Sequence, residues 1–218
     1  MLILLPPSEG KSQANSEQDL DLSLLRFATE LTDLRRSAIT AHNSAILDSH
    51  ASPAIEIYSG VLYQALDWQS LGTAAKKRGR NELLIVSALY GVLSPDDPIA
   101  PYKAKLKISY WKPAISKVLD QLNPELIIDC RSSTYAGVWH PDPKKTVGIR
   151  VFQEHDGVRS VITHMSKKYR GQLTRLLLEN KAPTSPQELQ AIANKQFTTE
   201  LINPSDRESW YLDLIIHN

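Results

Sequence analysis

The segment covering residues 87–107 constrains the fold most strongly, because it joins a sharp turn, three prolines and a lysine cluster. The apolar run at residues 83–86 precedes it and is typical of a buried strand. Gly91 supplies the positive φ or the close backbone approach that a sharp turn needs. The prolines remove amide donors and fix φ, so this segment is neither a helix nor a central strand. It either positions functional side chains or is a stiff structural loop.

Further apolar runs predict the other strands of an α/β fold. Residues 1–5 and 126–129 are short apolar runs followed by polar loops, and residues 146–152 and 158–164 predict a hairpin. Apolar residues spaced three and four apart predict helices between these strands. The predicted helices cover residues 22–49, 72–80, 109–122, 164–180 and 185–193. With 218 residues, 42% of them hydrophobic, we expect a single domain spanning residues 1–218, with a mixed sheet flanked by helices.

The cysteine, the histidines and the apolar start of the chain limit the cellular compartments and the cofactors that we expect. Cys130 is the single cysteine, so an intramolecular disulfide and a cysteine-rich metal site are both excluded. The apolar start ends at Pro6, which is too early for a secretion signal or a transmembrane helix. We therefore expect a cytoplasmic protein without membrane contact. His42 and His50 lack partners at metal-ligand spacing, so we predict no metal and no cofactor and assign neither histidine a role.

Two polar loops follow predicted strands and carry site chemistry. Residues 6–11 place Ser8, Glu9 and Lys11 at the carboxyl end of the first strand, where α/β folds bind ligands. Lys11 is suited to a phosphate and Glu9 to a base or acceptor, although the glycine spacing is not that of a Walker A motif. Arg131 follows a later strand and is a plausible phosphate clamp. The alternative for the first loop is an ordinary turn with a solvated lysine.

The helix predicted over residues 164–180 opens with an unusual charge pattern. Lys167, Lys168 and Arg170 occupy its first turn, where cations oppose the helix dipole and a bound anion would be favoured. Gly171 weakens the helix interior by about 1 kcal/mol relative to alanine, which indicates close approach by a backbone or a ligand. We predict an anion site here, with Ser166 as the N-cap. A solvated basic turn is the alternative.

Charge is distributed unevenly along a chain whose net charge is only +1. Residues 1–75 carry nine acidic and four basic residues, whereas residues 76–112 carry three and eight and residues 144–181 carry three and nine. If the two basic blocks converge they form a groove for phosphates or nucleic acid, and if they diverge they are solvated faces. Arg35 and Arg36, on the first predicted helix, are expected at the surface.

Two tyrosines, Tyr58 and Tyr63, flank Gly60. Aromatic residues are more often core and hydrogen-bonding residues than ligand contacts, which favours the core role. The alternative is that they stack on a base or a sugar, together with Tyr102 from the proline-rich segment.

Four segments resemble the YaaA peroxide-stress family of bacterial proteins. They read LLPPSEGK, YSGVLYQAL, SALYGVLSPDDPIAPYK and ITHMSKKYRGQLTRLLLEN, and they span residues 1 to about 180. The resemblance implies a cytoplasmic protein that helps cells survive hydrogen peroxide, limits damage from intracellular iron and binds DNA. It also implies an unusual α/β fold with a positively charged cleft and a helix-hairpin-helix-like element, which we place at residues 90–93. Lys103 stands where many relatives have arginine, and so keeps the charge without the bidentate fork.

Two functional hypotheses follow. In the first, the protein binds DNA, and also small nucleotides, through phosphate contacts; no protein partner is inferred. The phosphate-binding residues are then Lys11, Lys103, Arg131, Lys167, Lys168, Arg170 and Arg175. In the second, the protein is an enzyme that hydrolyses a glycosidic bond of a nucleotide, nucleoside or modified base, with Glu9 or Asp97 as the catalytic carboxylate and His164 nearby. A salt-dependent affinity for DNA favours the first hypothesis, and product formation favours the second.

Overall fold

The short apolar runs form the centre of one mixed β-sheet, because each is too short for a helix and is buried on both faces. A computed structural model describes residues 1–156, 158–162, 165–204 and 208–217. The strands are β1 (Leu2–Leu5), β2 (Ser52–Pro53), β3 (Leu83–Ser87), β4 (Gly91–Leu93), β5 (Pro98–Ile99), β6 (Ile127–Asp129), β7 (Thr146–His155), β8 (Val158–Val161), β9 (Thr198–Ile202) and β10 (Trp210–His217).

Helices connect the strands and cover the sheet. They are α1 (Ala28–Asn43), α2 (Ala54–Ile57), α3 (Val61–Leu66), α4 (Thr73–Glu82), α5 (Ile108–Asp120), α6 (Ser133–Ala136), α7 (Ser166–Glu179) and α8 (Pro186–Ala193). Short 3-10 helices occur at Leu22–Leu24, Ser44–Asp48, Trp68–Ser70 and Pro143–Lys145. Within the described residues, no helix is long and apolar enough to cross a membrane.

The sheet has the order β4-β3-β1-β6-β7-β10-β9, and β8 pairs with the far half of β7. Strands β3, β1, β6, β7 and β10 run parallel, whereas β4 and β9 form antiparallel edges. Strands β2 and β5 form a separate antiparallel pair. The prediction of an α/β fold with a mixed sheet is therefore confirmed, and so is the hairpin of β7 and β8.

The loop after β1 lies where the order of the strands in the sheet changes direction, because β1 has β3 on one side and β6 on the other. The chain passes from β1 to β3 on one side and later returns to β6 on the other. Loops that leave such neighbouring parallel strands diverge and open a crevice at their carboxyl ends. The loops after β1 and β6 thus border the position where ligands of α/β proteins usually bind.

Alternate side chains of β1 enter two hydrophobic cores. Its even-numbered residues pack with Leu31 of α1 and Trp111 of α5, whereas its odd-numbered residues pack with Leu62 of α3 and Leu173 of α7. Burying each such side chain contributes roughly 1.5–3 kcal/mol. The sheet is thereby held between two helical layers, which fixes the strand ends relative to one another.

Gly171 allows α7 to pack directly against α3. A Cβ at this position would lie 2.1 Å from the carbonyl oxygen of Leu62 and 3.0 Å from the Cβ of Ala65. The close backbone approach predicted from this glycine is confirmed. Its position also brings the first turn of α7 beside the start of α3.

Arg35 corrects the sequence interpretation, which placed it at the surface. Its side chain is fully buried, with Nε donating to the carbonyl of Tyr90 at 3.0 Å and Nη2 to those of Val92 at 2.9 Å and Arg26 at 2.8 Å. Burial lowers the pKa of Arg35 to about 10. The guanidinium thus fixes the turn in which Gly91 has the predicted positive φ, here 78°.

Two further details differ from the sequence interpretation. Residues 90–93 form the turn and the antiparallel strand β4, so the placement of a helix-hairpin-helix-like element there is wrong. Met165 rather than Ser166 occupies the N-cap of α7, and Ser166 is the first helical residue. The apolar periodicity of α7 fixes its buried face but not its first residue.

We predict that Gly171→Ala lowers the free energy of unfolding by about 1–3 kcal/mol, because the added methyl group collides with the backbone of α3. Chemical denaturation measures the change. Gln172→Ala is the matched control on the next, partly exposed position, and we expect it to shift stability by less than about 0.5 kcal/mol. Equal effects of the two substitutions would contradict the close packing.

Candidate functional site

The loop over residues 6–11 is held in place by a backbone pairing with the segment between α2 and α3. Ser12 N–H donates to the carbonyl of Ile57 at 2.8 Å, and Ser59 N–H donates to that of Gly10 at 3.1 Å. The hydroxyl of Tyr63 donates to the carbonyl of Pro6 at 2.7 Å. The side chains that follow β1 are therefore presented from a fixed backbone.

Lys11 lies half-buried against two aromatic rings. Its Nζ is 4.3 Å from the ring centroid of Tyr102 and 5.5 Å from that of Tyr58, and it donates to the carbonyl of Ser8 at 2.7 Å. Burial lowers the pKa of Lys11, and the charge of Glu9 opposes that shift in part. The ammonium group of Lys11 is thus held partly away from solvent.

The tyrosine hydroxyls form a buried hydrogen-bonded chain. Tyr102 Oη lies 3.0 Å from Tyr58 Oη and 2.7 Å from Ser87 Oγ. Burial raises the pKa of both tyrosines, which keeps them neutral. The core role favoured for Tyr58 and Tyr63 is confirmed, since both are buried. Contact of Tyr58, Tyr63 or Tyr102 with a base or a sugar stays a prediction.

Two cavities meet at Glu9. The larger, of about 630 Å³, is lined by Glu9, Lys11, His50, Tyr102 and Lys103 among others. The smaller, of about 150 Å³, is lined by Glu9 together with Ser8, Tyr63 and Lys167. Lysines from the two basic blocks of the sequence, Lys103 and Lys167, are therefore brought to cavities that share one residue.

Two of the predicted phosphate-binding arginines, Arg131 and Arg170, form hydrogen bonds or ion pairs within the protein. Arg131 forms a bidentate pair with Asp129, at 2.9 and 2.7 Å, and its side chain is fully buried. Arg170 donates to the carbonyls of Cys130 at 3.3 Å, Arg131 at 3.4 Å and Ile149 at 3.0 Å. Their guanidinium groups connect β6, β7 and α7, which is a structural use of their charge.

Arg175 is likewise bound within the protein. It pairs with Glu179 at 2.9 Å and Asp67 at 3.4 Å, and its Nη1 donates to Ser70 Oγ at 2.8 Å. In contrast, Lys11, Lys103, Lys167 and Lys168 take part in no ion pair among the described residues. Lys103 and Lys167 are exposed, and Lys168 is half-buried.

Asp97 lies apart from the two cavities that share Glu9. Its Oδ2 accepts the backbone N–H groups of Ser94 and Arg26, each at 3.0 Å. Burial raises the pKa of Asp97 to about 6, although these hydrogen bonds and the charges of Arg35 and Arg26 oppose the shift. Its neighbour Asp96 is exposed and pairs with Arg80. The carboxylate of Asp97 therefore fastens the proline-rich loop to the entry of α1.

The cysteine and the potential metal ligands considered in the sequence analysis form no site among the described residues. Cys130 is fully buried, and burial raises the pKa of its thiol to about 12. Among the described residues, no group of three or more His, Cys, Asp or Glu side chains is arranged to hold a metal ion. His164 lies outside the described residues.

Sequence comparisons identify the family. A sequence profile of the family described as "Peroxide stress protein YaaA" matches residues 1–201. The chain belongs to this family. The resemblance inferred from the four segments is thus confirmed, and the match extends beyond the span that those segments cover.

Relatives of this YaaA-family chain align over nearly its whole length. A UPF0246 protein of Streptomyces coelicolor is 31% identical, covering 100% of this chain and 99% of its own. UPF0246 proteins of Corynebacterium glutamicum and Corynebacterium efficiens are 33% and 34% identical, each covering 96% of this chain and 98% of its own. These alignments cover the strands and helices that border the two cavities as well as the rest of the sheet.

One cavity residue of this YaaA-family protein was missed by sequence reasoning. His50 lines the larger cavity, and its Nδ1 lies 3.3 Å from Oδ1 of Asp19. No local motif connects His50 with Lys11 or Tyr102. The backbone bridge between residues 19 and 50, which places it there, is a long-range contact without a sequence signal.

We predict that Asp97→Asn changes the pH dependence of stability. The folded protein binds a proton at Asp97 up to about pH 6, whereas the unfolded chain releases it near 3.9. Ionising the buried group therefore costs stability as the pH rises through this window, by about 2–3 kcal/mol. Denaturation at pH 4, 5, 6 and 7 should show wild type losing stability relative to Asp97→Asn. Parallel profiles would contradict the raised pKa.

Proposed function

We propose that this YaaA-family protein acts in the cytoplasm during peroxide stress and binds DNA through non-specific phosphate contacts in a basic cleft. The arrangement of lysines around Glu9 carries the proposal. Lys11 and Lys103 line the larger cavity and Lys167 lines the smaller, and all three are free of ion pairs among the described residues. Cations that are not neutralised internally are available to phosphates.

Lysine chemistry supports binding without sequence preference. An ammonium group is a compact, strongly hydrated charge on a flexible stem, whereas the arginine fork imposes bidentate geometry. The predicted arginines are used inside the protein, which leaves lysines for the ligand. Contacts of this kind position a duplex but carry no sequence information.

Glu9 requires a separate assignment because a carboxylate repels the phosphate backbone. Its side chain is exposed and lines both cavities. A carboxylate there is suited to accept a hydrogen bond from an exocyclic amino group such as cytosine N4.

We place any effect on intracellular iron downstream of DNA binding. The sequence carries no His, Cys and carboxylate spacing typical of an iron site. In this proposal the protein meets the oxidative damage at the DNA rather than at the metal. Peroxide resistance is then a consequence of the duplex contacts.

Salt dependence tests the proposal. Replacing both Lys103 and Lys167 with glutamine should lower duplex affinity and reduce the slope of log affinity against log salt by about 2, because each phosphate contact contributes about 0.9. Fluorescence anisotropy with an intact duplex at several salt concentrations measures the slope.

The matched control removes the same charge elsewhere. Lys77 in α4 and Lys117 in α5 are exposed and line neither cavity. Glutamine at both positions should leave the slope almost unchanged. An equal loss of duplex affinity and of salt slope in the two double variants would mean that net charge alone governs binding. That result would contradict binding at the two cavities.

The second candidate function is hydrolysis of a glycosidic bond in a nucleotide, nucleoside or modified base. The position of Glu9 favours it, because this exposed carboxylate borders both cavities. Asp97, the other predicted catalytic carboxylate, is instead engaged by backbone amides. General acid–base catalysis contributes roughly 10²–10⁴-fold to a rate.

If this second function holds, wild type should release free bases from nucleosides, nucleotides or damaged DNA, and Glu9→Gln should slow release by about 10²-fold or more. Chromatography of the products measures it. Glu17→Gln, on an exposed residue of the following loop, should retain full activity. Identical product traces for wild type and Glu9→Gln would reject this chemistry.

A further inference from the structure

The amine of Lys11 differs from the other lysines of the site in its surroundings. It is half-buried, lies over the rings of Tyr102 and Tyr58, and reaches the larger cavity. Its neighbours within hydrogen-bond distance include a carbonyl oxygen of Ser8 but no carboxylate among the described residues. The two ring faces and the Ser8 carbonyl stabilise an ammonium group here, whereas burial without an ion-paired carboxylate opposes its charge.

Partial burial favours the neutral form of an amine, and the pKa of Lys11 is lowered for that reason. A neutral amine is a nucleophile, and lysines in poorly solvated pockets are the ones that form imines with carbonyl substrates. The cavity of about 630 Å³ gives such a substrate space beside Nζ. Glu9, which faces the same cavity, is a base within the site.

We propose that Lys11 forms an imine with the aldehyde carbon of a phosphate-bearing sugar. The phosphate requirement rests on the proposed function, since Lys103 and Lys167 supply the cations that would hold it. The aldehyde requirement is independent of that function and rests on Lys11 alone. An open-chain sugar phosphate and an abasic site in DNA share this chemistry.

The step balances without an oxidant or a reductant. The lone pair of Nζ forms a bond to the aldehyde carbon, and the carbonyl π electrons move to its oxygen. Two protons leave Nζ in turn and pass to the former carbonyl oxygen, with Glu9 as the base and solvent in the cavity as the relay. The first proton converts the alkoxide to a hydroxyl group, and the second lets that group leave as water when the C=N bond forms. The products are a protein imine and one water molecule, and hydrolysis reverses the step.

Borohydride reduction tests the inference, because it converts a reversible imine into a stable secondary amine. The probes are ribose 5-phosphate and a duplex with a single abasic site, each incubated with wild type and sodium borohydride. We expect a covalent adduct whose reduced linkage is mapped by mass spectrometry to the peptide that contains Lys11. Lys11→Arg keeps the charge but has no imine-forming amine, and should lower the adduct yield about tenfold or more.

Lys117→Arg is the control, since Lys117 is exposed on α5 and lines neither cavity; its adduct yield should equal that of wild type. An adduct with one probe alone supports the inference and identifies the source of the aldehyde. No adduct with either probe, a linkage mapped to other lysines, or an undiminished yield in Lys11→Arg would overturn it. Adduct formation without affinity for an intact duplex would leave the inference standing and reject the proposed function.

Discussion

The backbone pairing between residues 10–12 and 57–59 is the contact on which the site depends. It holds the loop after β1 against the segment that leads into α3, while β1 itself is fixed between β3 and β6. Because α7 packs on α3 through Gly171, the first turn of α7 is brought to the same loop. A single rigid loop thereby joins elements that are more than a hundred residues apart in the chain.

The charges of the protein divide into two groups with different uses. Arginines such as Arg131 and Arg170 are engaged inside the fold, where a planar fork satisfies several oxygens at once. Lysines such as Lys103 and Lys167 keep their charge available at the cavities around Glu9. This division explains how a chain of net charge +1 can place lysines without ion-pair partners among the described residues beside these cavities. The proposed DNA binding of this peroxide-stress family member would use those lysines.

Short-range sequence patterns predicted the features that depend on neighbouring residues, such as the central strands and the close packing at Gly171. The central strands follow from short apolar runs, and the loop after β1 follows from the rule that parallel strands present their carboxyl ends at one edge. The close packing at Gly171 was predictable because glycine weakens a helix. The burial of Arg35 was not, since periodicity treats every arginine as polar and two of its three acceptors lie more than fifty residues away. The contact between Asp97 and Arg26 was not predictable either, because these residues are also far apart in the sequence.

In the proposed function, lysines from two separate basic blocks meet one ligand at the Glu9 loop. Nuclear magnetic resonance of the protein with ¹³C-methylated lysines tests it directly, because methylation keeps each charge and gives each lysine its own signal. On addition of an intact duplex, we expect shifts at Lys11, Lys103 and Lys167 and little change at Lys77 and Lys117. Shifts spread equally over all lysines, or confined to Lys77 and Lys117, would contradict it.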